Sequence, residues 1–163
     1  MIRLAALSGE PAIAAEALAL VEEYLRLPDA WRGNPPEELP RWFRDELSNF
    51  PGDAAPPTGE VVVAFLDAAA AGVGLLRPLS GQIVEMKRVY VRASARRVGA
   101  GKAIVQRLIE RARLLGYREL VLDVMPERRA AMQLYQSLGF TPIDAYRMYP
   151  SSDFRLNAFG IEL

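Results

Sequence analysis

Residues 82–124, QIVEMKRVYVRASARRVGAGKAIVQRLIERARLLGYRELVLDV, decide the fold. Residues 82–92 form a β-branched, apolar run with charges set inside it, the composition of a strand. A glycine-bearing turn follows over residues 96–101. From 100 to 115 apolar residues recur at helical spacing, with Ile104, Leu108, Ala112 and Leu115 on one stripe, until Gly116 stops the helix. Residues 119–124 then read as a second strand. Strand, helix and strand in this order make a right-handed crossover, so the two strands should lie parallel.

Working outward, residues 1–7 read as a first strand. From 11 to 27, Ile13, Ala17, Val21 and Tyr24 recur at helical spacing behind Pro11, which suits a first turn. Residues 28–40 form a polar, proline-bearing loop containing Trp31 and Asn34. A short helix carrying Phe43, Leu47 and Phe50 comes next, and GDAAPPTG at 52–59 breaks the chain. Residues 61–66 and 73–79 are continuous apolar strands, and the gap between them predicts a hairpin. Beyond the central segment, 129–138 is a helix ended by Gly139, and residues 140–148 and 154–163 would close the sheet. The reading is one α/β domain over residues 1–163 with a mixed sheet.

The chain has 163 residues, 51% of them hydrophobic and 25% charged, with no cysteine and no histidine. Those two absences remove disulfide scaffolds, thiolate nucleophiles, Ser-His-Asp triads and most zinc sites, so no metal is expected. Chemistry must come from carboxylates, tyrosines, basic side chains and backbone. No apolar run reaches the length of a membrane span, and no basic head or cleavage site precedes Glu10 and Glu16, which predicts a cytoplasmic protein with no membrane partner. Net charge is zero, yet residues 86–118 hold ten of the twenty basic residues and one acid. Residues 1–60 hold eleven acids against five arginines, a net charge of −6. Overall charge is neutral and the arginine-rich stretch has no run of interleaved stacking aromatics, so nucleic acid is not an expected partner. Arg107, Arg111 and Arg113 read as the solvated face of their helix.

A glycine turn between a strand and a helix start gathers backbone N–H groups at the positive end of the helix dipole, a place for phosphate. Two familiar phosphate loops do not match. GxxxxGK[ST] would need Gly at 96 and Ser or Thr at 103, where Arg96 and Ala103 stand, and GxGxxG would need Gly at 104, where Ile104 stands. Arg96-Arg97-Val98-Gly99-Ala100-Gly101 instead matches R/Q-x-x-G-x-G/A, and AMQLYQSLGF at 131–140 matches A-x-x-L-Y-x-x-x-G-F. With these two motifs the chain resembles the GNAT superfamily of acyl-CoA N-acetyltransferases, specifically over residues 82–148. The resemblance implies a mixed, mostly antiparallel sheet with one splayed parallel strand pair, flanked by about four helices. It also implies acetyl-CoA as co-substrate, a small-molecule amine as acceptor, and compatibility with a homodimer.

Through the same resemblance Arg96, Arg97, Val98, Gly99, Ala100, Gly101 and Lys102 are expected to hold the coenzyme's pyrophosphate. Backbone at Val89, Tyr90 and Val91 would pair with its pantetheine arm, an N–H near Val89 polarising the thioester carbonyl. One departure is the stretch Met125-Pro126-Glu127-Arg128-Arg129, where many members carry an asparagine that contacts the arm. Tyr135 occupies the family's acid position, and its phenol could protonate a departing thiolate. By periodicity alone it is also a core residue on the stripe Ala131, Leu134, Tyr135, Leu138. Glu85, eleven residues before Arg96, resembles the catalytic glutamate of histone-type members, and desolvation would raise its pKa. An ion pair with Lys87 is the competing reading of Glu85, while Asp123, Glu127 and water are alternative bases.

Without Cys or His, direct attack in a ternary complex is expected, with a non-catalytic acyl-CoA sensing module as the alternative. The acid-rich first sixty residues suggest a cationic amine, drawn in by Asp29, Glu37, Glu38, Asp45 and Glu46.

Overall fold

Along residues 61–65 alternate side chains enter two different cores. Val61, Val63 and Phe65 pack with α-helical residues of the first third of the chain, and Val62 and Ala64 pack with Ile104 and Leu108. A strand covered on both faces has no polar side, which is why its sequence is a continuous apolar run. The computed structural model describes residues 1–31, 36–148 and 155–163, so Asn34 and the start of the last expected strand lie outside the described residues, as does the side chain of Asp29.

The elements run β1 (Ile2–Ala6), α1 (Ala14–Leu25), α2 (Arg41–Ser48), β2 (Glu60–Leu66), β3 (Ala69–Ser80) and β4 (Ile83–Val91). They continue with α3 (Ala100–Leu114), β5 (Glu119–Val124), α4 (Arg129–Ser137), β6 (Thr141–Ile143) and β7 (Asn157–Glu162). Seven strands form one sheet in the order β1-β2-β3-β4-β5-β7-β6. Every pairing is antiparallel except β4 with β5. The crossover through α3 makes that one pair parallel, as expected.

The β2–β3 hairpin is tighter than the sequence suggests. Its turn is Asp67-Ala68, both at positive φ (48° and 70°), the twist a two-residue hairpin needs. The stretch 69–72 therefore belongs to β3. Residues 140–148 yield only the short β6, an edge strand in which Pro142 lacks the N–H to extend pairing. Helix α3 lies directly on β3 because Gly74 has no side chain: a Cβ there would sit 2.7 Å from Ile104 Cγ2 and 2.9 Å from Leu108 Cδ1. Arg111 departs from the solvated-face reading. It turns inward to Glu60, fully buried, at 3.0 Å, and Ser8 Oγ donates to the same carboxylate at 2.5 Å. No helix among the described residues is long and apolar enough to cross a membrane.

Candidate active site

β4 and β5 pair only through Ile83–Glu119, Val84–Leu120 and Glu85–Val121, and then part. On its other edge β4 bulges. Lys87 faces Leu75 and Tyr90 faces Val73, which leaves Arg88 and Val89 against Gly74, with Arg88 at φ +55°. The parted strands keep unpaired backbone groups along residues 86–91, and a cavity of about 890 Å³ opens beside them. Tyr24, Phe43, Lys87, Val89, Asp123 and Tyr135 bring α1, α2, β4, β5 and α4 to its wall. Val89 and Val91 pack their side chains toward α3 and Tyr90 packs toward α1, so the residues expected to act through backbone keep their side chains in the cores.

The glycine loop lies at the head of α3. Arg97 at φ +64° and Gly99 at φ +91° curl it, the geometry in which successive N–H groups gather into an anion cradle. Gly99 is the N-cap of α3 and no side chain caps the helix, so the first-turn N–H groups at Ala100, Gly101 and Lys102 have no intrahelical acceptor. Arg96 donates to the Val91 carbonyl at 3.2 Å, tying the loop to the end of β4, and residues 96–99 and Lys102 are exposed. The loop fits a phosphate-bearing coenzyme: exposed donors, a helix dipole, and no Cβ at the two glycines.

Tyr135 is buried at 6% exposure, its ring against Phe140 (centroids 5.9 Å apart), yet it also lines the cavity. The burial agrees with the core reading, and the place in the wall leaves the hydroxyl's role open to proposal. Burial pushes its phenol up to about 12, so it stays protonated at any physiological pH and is further from a thiol's pKa than a free tyrosine would be.

Glu85 differs from expectation in two respects. It is fully buried and is not part of the cavity wall. Burial alone would raise its pKa, but Lys87, the Tyr146 hydroxyl, Arg77 and Arg147 together hold the carboxyl below the usual range. The expected raised pKa is overturned, because a desolvated carboxylate surrounded by cations is stabilised in its charged form. Its bonded partners are also not those expected. Arg77 Nε donates to Oε1 at 2.8 Å, Tyr146 donates to Oε2 at 2.6 Å, and Arg147 donates to the same oxygen. Arg147 also faces Asp123 at 2.7 Å. Of the other base candidates, Asp123 lines the cavity and Glu127 is exposed outside it.

Several residues at the site carried no motif. Tyr146 and Arg147 lie 61 and 62 residues from Glu85, and Arg77, eight residues before it, stands in a stretch read only as an apolar strand. Arg128 donates to the Tyr24 hydroxyl at 2.8 Å and lies over its ring. Arg88 grips Glu46. The acids expected to attract a cationic acceptor are largely engaged: Glu46 by Arg88, Glu38 by Arg44, Asp45 by Arg41. Glu37 and Glu38 do not line the cavity. Asp45, Glu46 and Asp53 do line it, Glu46 paired with Arg88 of β4 and Asp45 with Arg41 of its own helix.

The fold is the one seen in acetyltransferases of the GNAT family. An acetyltransferase of the GNAT family from Staphylococcus aureus Mu50 superposes with a TM-score of 0.76 at 15% identity over 99% of both chains. An acetyltransferase from Streptococcus agalactiae 2603 gives 0.74 at 16% identity, covering 99% of this chain and 98% of that one. In sequence, the pattern of the Acetyltransferase (GNAT) family matches residues 14–140, and the chain belongs to that family. An uncharacterized N-acetyltransferase of Schizosaccharomyces pombe is 35% identical over 65% of this chain and 66% of its own length. Another from Dictyostelium discoideum is 38% identical over 44% of this chain and 33% of its own length. The chain thus matches a third to two thirds of these relatives.

Proposed function

We propose that the protein moves an acetyl group from acetyl-CoA to the primary amine of a small molecule by direct attack in a ternary complex. The observation that carries this reading is the splay of β4 from β5 beside the uncapped, glycine-headed N-terminus of α3. Acetyl-CoA, when bound, supplies an activated thioester. The loop N–H groups from Arg97 to Lys102 hold its pyrophosphate, helped by the charges of Arg96, Arg97 and Lys102, and the open edge of β4 at Val89–Val91 takes its amide-bearing arm as an added strand.

An N–H near Val89 accepts the charge that develops on the carbonyl oxygen, a contribution of order 10²–10³ in rate. As the C–N bond forms and the C–S bond breaks, Tyr135 donates its proton to the departing sulfur. Asp123, at the cavity wall, takes the proton shed by the amine, directly or through water. Glu85 acts as a positioning residue that holds Arg77, Tyr146 and Arg147 around the base of the cavity. A relative, the L-2,4-diaminobutyric acid acetyltransferase of Nocardia farcinica, 31% identical over 60% of this chain and 46% of its own length, supports a small amine as acceptor.

Thermal shift with acetyl-CoA, followed by thiol release across an amine panel, tests the reading. A shift together with thiol release supports it. A shift with no thiol release for any amine would favour the sensing module.

A further inference from the structure

Four cations meet at the β4 floor of the cavity: Arg77, Lys87, Arg88 and Arg147. Three of them are neutralised. Arg77 pairs with Glu85, Arg88 with Glu46, and Arg147 with both Glu85 and Asp123. These pairings engage all three carboxylates at the floor. Lys87 alone has no carboxylate within ion-pair distance among the described residues, although it is half-buried.

An uncompensated cation withdrawn from water is costly unless something answers its charge. Burial, followed by repulsion from Arg88, brings the Lys87 ammonium down to about 8, with the nearby Glu85 charge opposing that fall. The floor of the cavity therefore carries a surplus positive charge at Lys87, whose Nζ has three donors to offer. A second cation, Arg128, lines the same cavity, where it donates to the Tyr24 hydroxyl and lies over that ring. Aromatic side chains line the cavity as well, with Trp31 edge-on to Phe43 and Trp42 exposed at 68% beside it.

We infer that the acceptor is an amine that also carries a carboxylate, an amino acid with an apolar body, and that Lys87 holds the carboxylate. The inference rests on the transferase reading and deepens it. A polyamine would bring further positive charge to a floor that already has a surplus. A carboxylate supplies the missing counter-charge, and the aromatic wall takes the apolar body.

The test compares leucine with isoamylamine, its counterpart lacking the carboxylate, by thiol release in wild type, Lys87→Gln and Lys87→Arg. Each amine keeps its own basicity in all three proteins, so a change in preference between proteins reads the carboxylate contact alone. The wild-type preference, as a ratio of kcat/KM, should fall by about ten-fold or more in Lys87→Gln and be largely restored by Lys87→Arg. The melting temperature of Lys87→Gln should hold or rise, since the substitution removes a lone cation from among arginines. An unchanged preference in Lys87→Gln, or an equal loss for both amines, would overturn the inference while leaving the transferase reading intact. If acetyl-CoA raises the melting temperature but wild type releases no thiol with any amine, the transferase reading fails, and the inference fails with it.

Discussion

Arg88 of β4 and Glu46 of α2 meet in a two-pronged ion pair, Nε to Oε1 at 2.9 Å and Nη2 to Oε2 at 2.6 Å, across 42 residues of chain. The Arg88 guanidinium also lies 5.0 Å from the centre of the Phe43 ring on the same helix. Helix α2 has no fully buried residue of its own, so this contact is a main tie between it and the sheet. Burial pushes the Glu46 carboxyl up, and Arg88, together with the charges of Lys87 and Arg77, more than reverses that. The β4 bulge and the α2 wall of the cavity are thereby joined.

Glu46→Gln should loosen that wall without touching the coenzyme loop. The expected outcome is a several-fold rise in acceptor KM with kcat little changed and the acetyl-CoA thermal shift retained. Since both partners keep some contact with water, the stability cost should be about 1 kcal/mol. Steady-state kinetics and thermal melts check this. A loss of acetyl-CoA binding would count against an acceptor-side role for α2.

Acetyl-CoA at about 100 times its Kd should add about 2.7 kcal/mol to stability by mass action. Gly101→Ala tests the close approach of the loop cleanly, because a Cβ there meets only ordinary contacts, Leu134 at 3.6 Å and Val91 at 3.7 Å. Its unliganded melting temperature should match wild type while the acetyl-CoA shift falls away. Gly99→Val should lose the shift as well, with additional backbone strain from φ +91°. Wild-type shifts in both variants would refute the loop assignment.

Tyr135→Phe removes the phenolic proton and leaves the ring packed on Phe140. A fall in kcat of about 10²–10⁴ with little change in acetyl-CoA affinity is expected. Stopped-flow thiol release would locate the loss in the chemical step. Unchanged turnover would assign the proton to water.

The charge on Lys87 gives a pH signature. With its ammonium brought to about 8 by burial, Lys87 is charged below that pH and neutral above it. Of the groups that face it, Arg88 and Arg147 are held above the usual arginine range and Glu85 and Glu46 below the usual carboxylate range, so none of these changes charge near pH 8. Affinity for an N-acetylated apolar amino acid, whose amide does not titrate, should therefore be flat between about pH 6 and 7 and weaken as pH rises through 8. In Lys87→Arg the weakening should vanish. Calorimetric titration at several pH values measures it.

Glu85→Gln should lower stability by about 3 kcal/mol, towards the low end for a broken buried pair because Arg77 and Arg147 keep some contact with water. For a domain of this size that is a melting-temperature drop of about 6–12 °C. The Glu85 carboxyl is held below its ordinary 4.5, so its stabilisation is complete above that value and is lost as pH falls through the lowered one. The gap between wild type and variant should therefore be widest near neutrality and narrow below about pH 4. A gap independent of pH would mean that the charge of Glu85 does not stabilise the fold.

What the sequence by itself determined lies in segments whose information is local. The stripe Ile104, Leu108, Ala112 declared α3, the apolar run 61–66 declared a strand buried on both faces, and the glycines at 99 and 101 declared a turn that presents backbone N–H groups. Each follows from spacing along a few consecutive turns or residues, which hydrophobic burial converts directly into structure. Only the tertiary structure decided the electrostatics. Glu85 looked like a desolvated base next to Lys87, but Tyr146 and Arg147, 61 and 62 residues away, complete its ring of partners and lower its pKa. Arg111 looked solvated until folding placed Glu60 beneath it, and nothing in the spacing of the first sixty residues pairs Glu46 with Arg88. Ion pairs depend on which distant charges the sheet brings within a few ångströms, and the energy of a charge depends on its burial as much as on its neighbours. Neither quantity is carried by the spacing of residues along the chain.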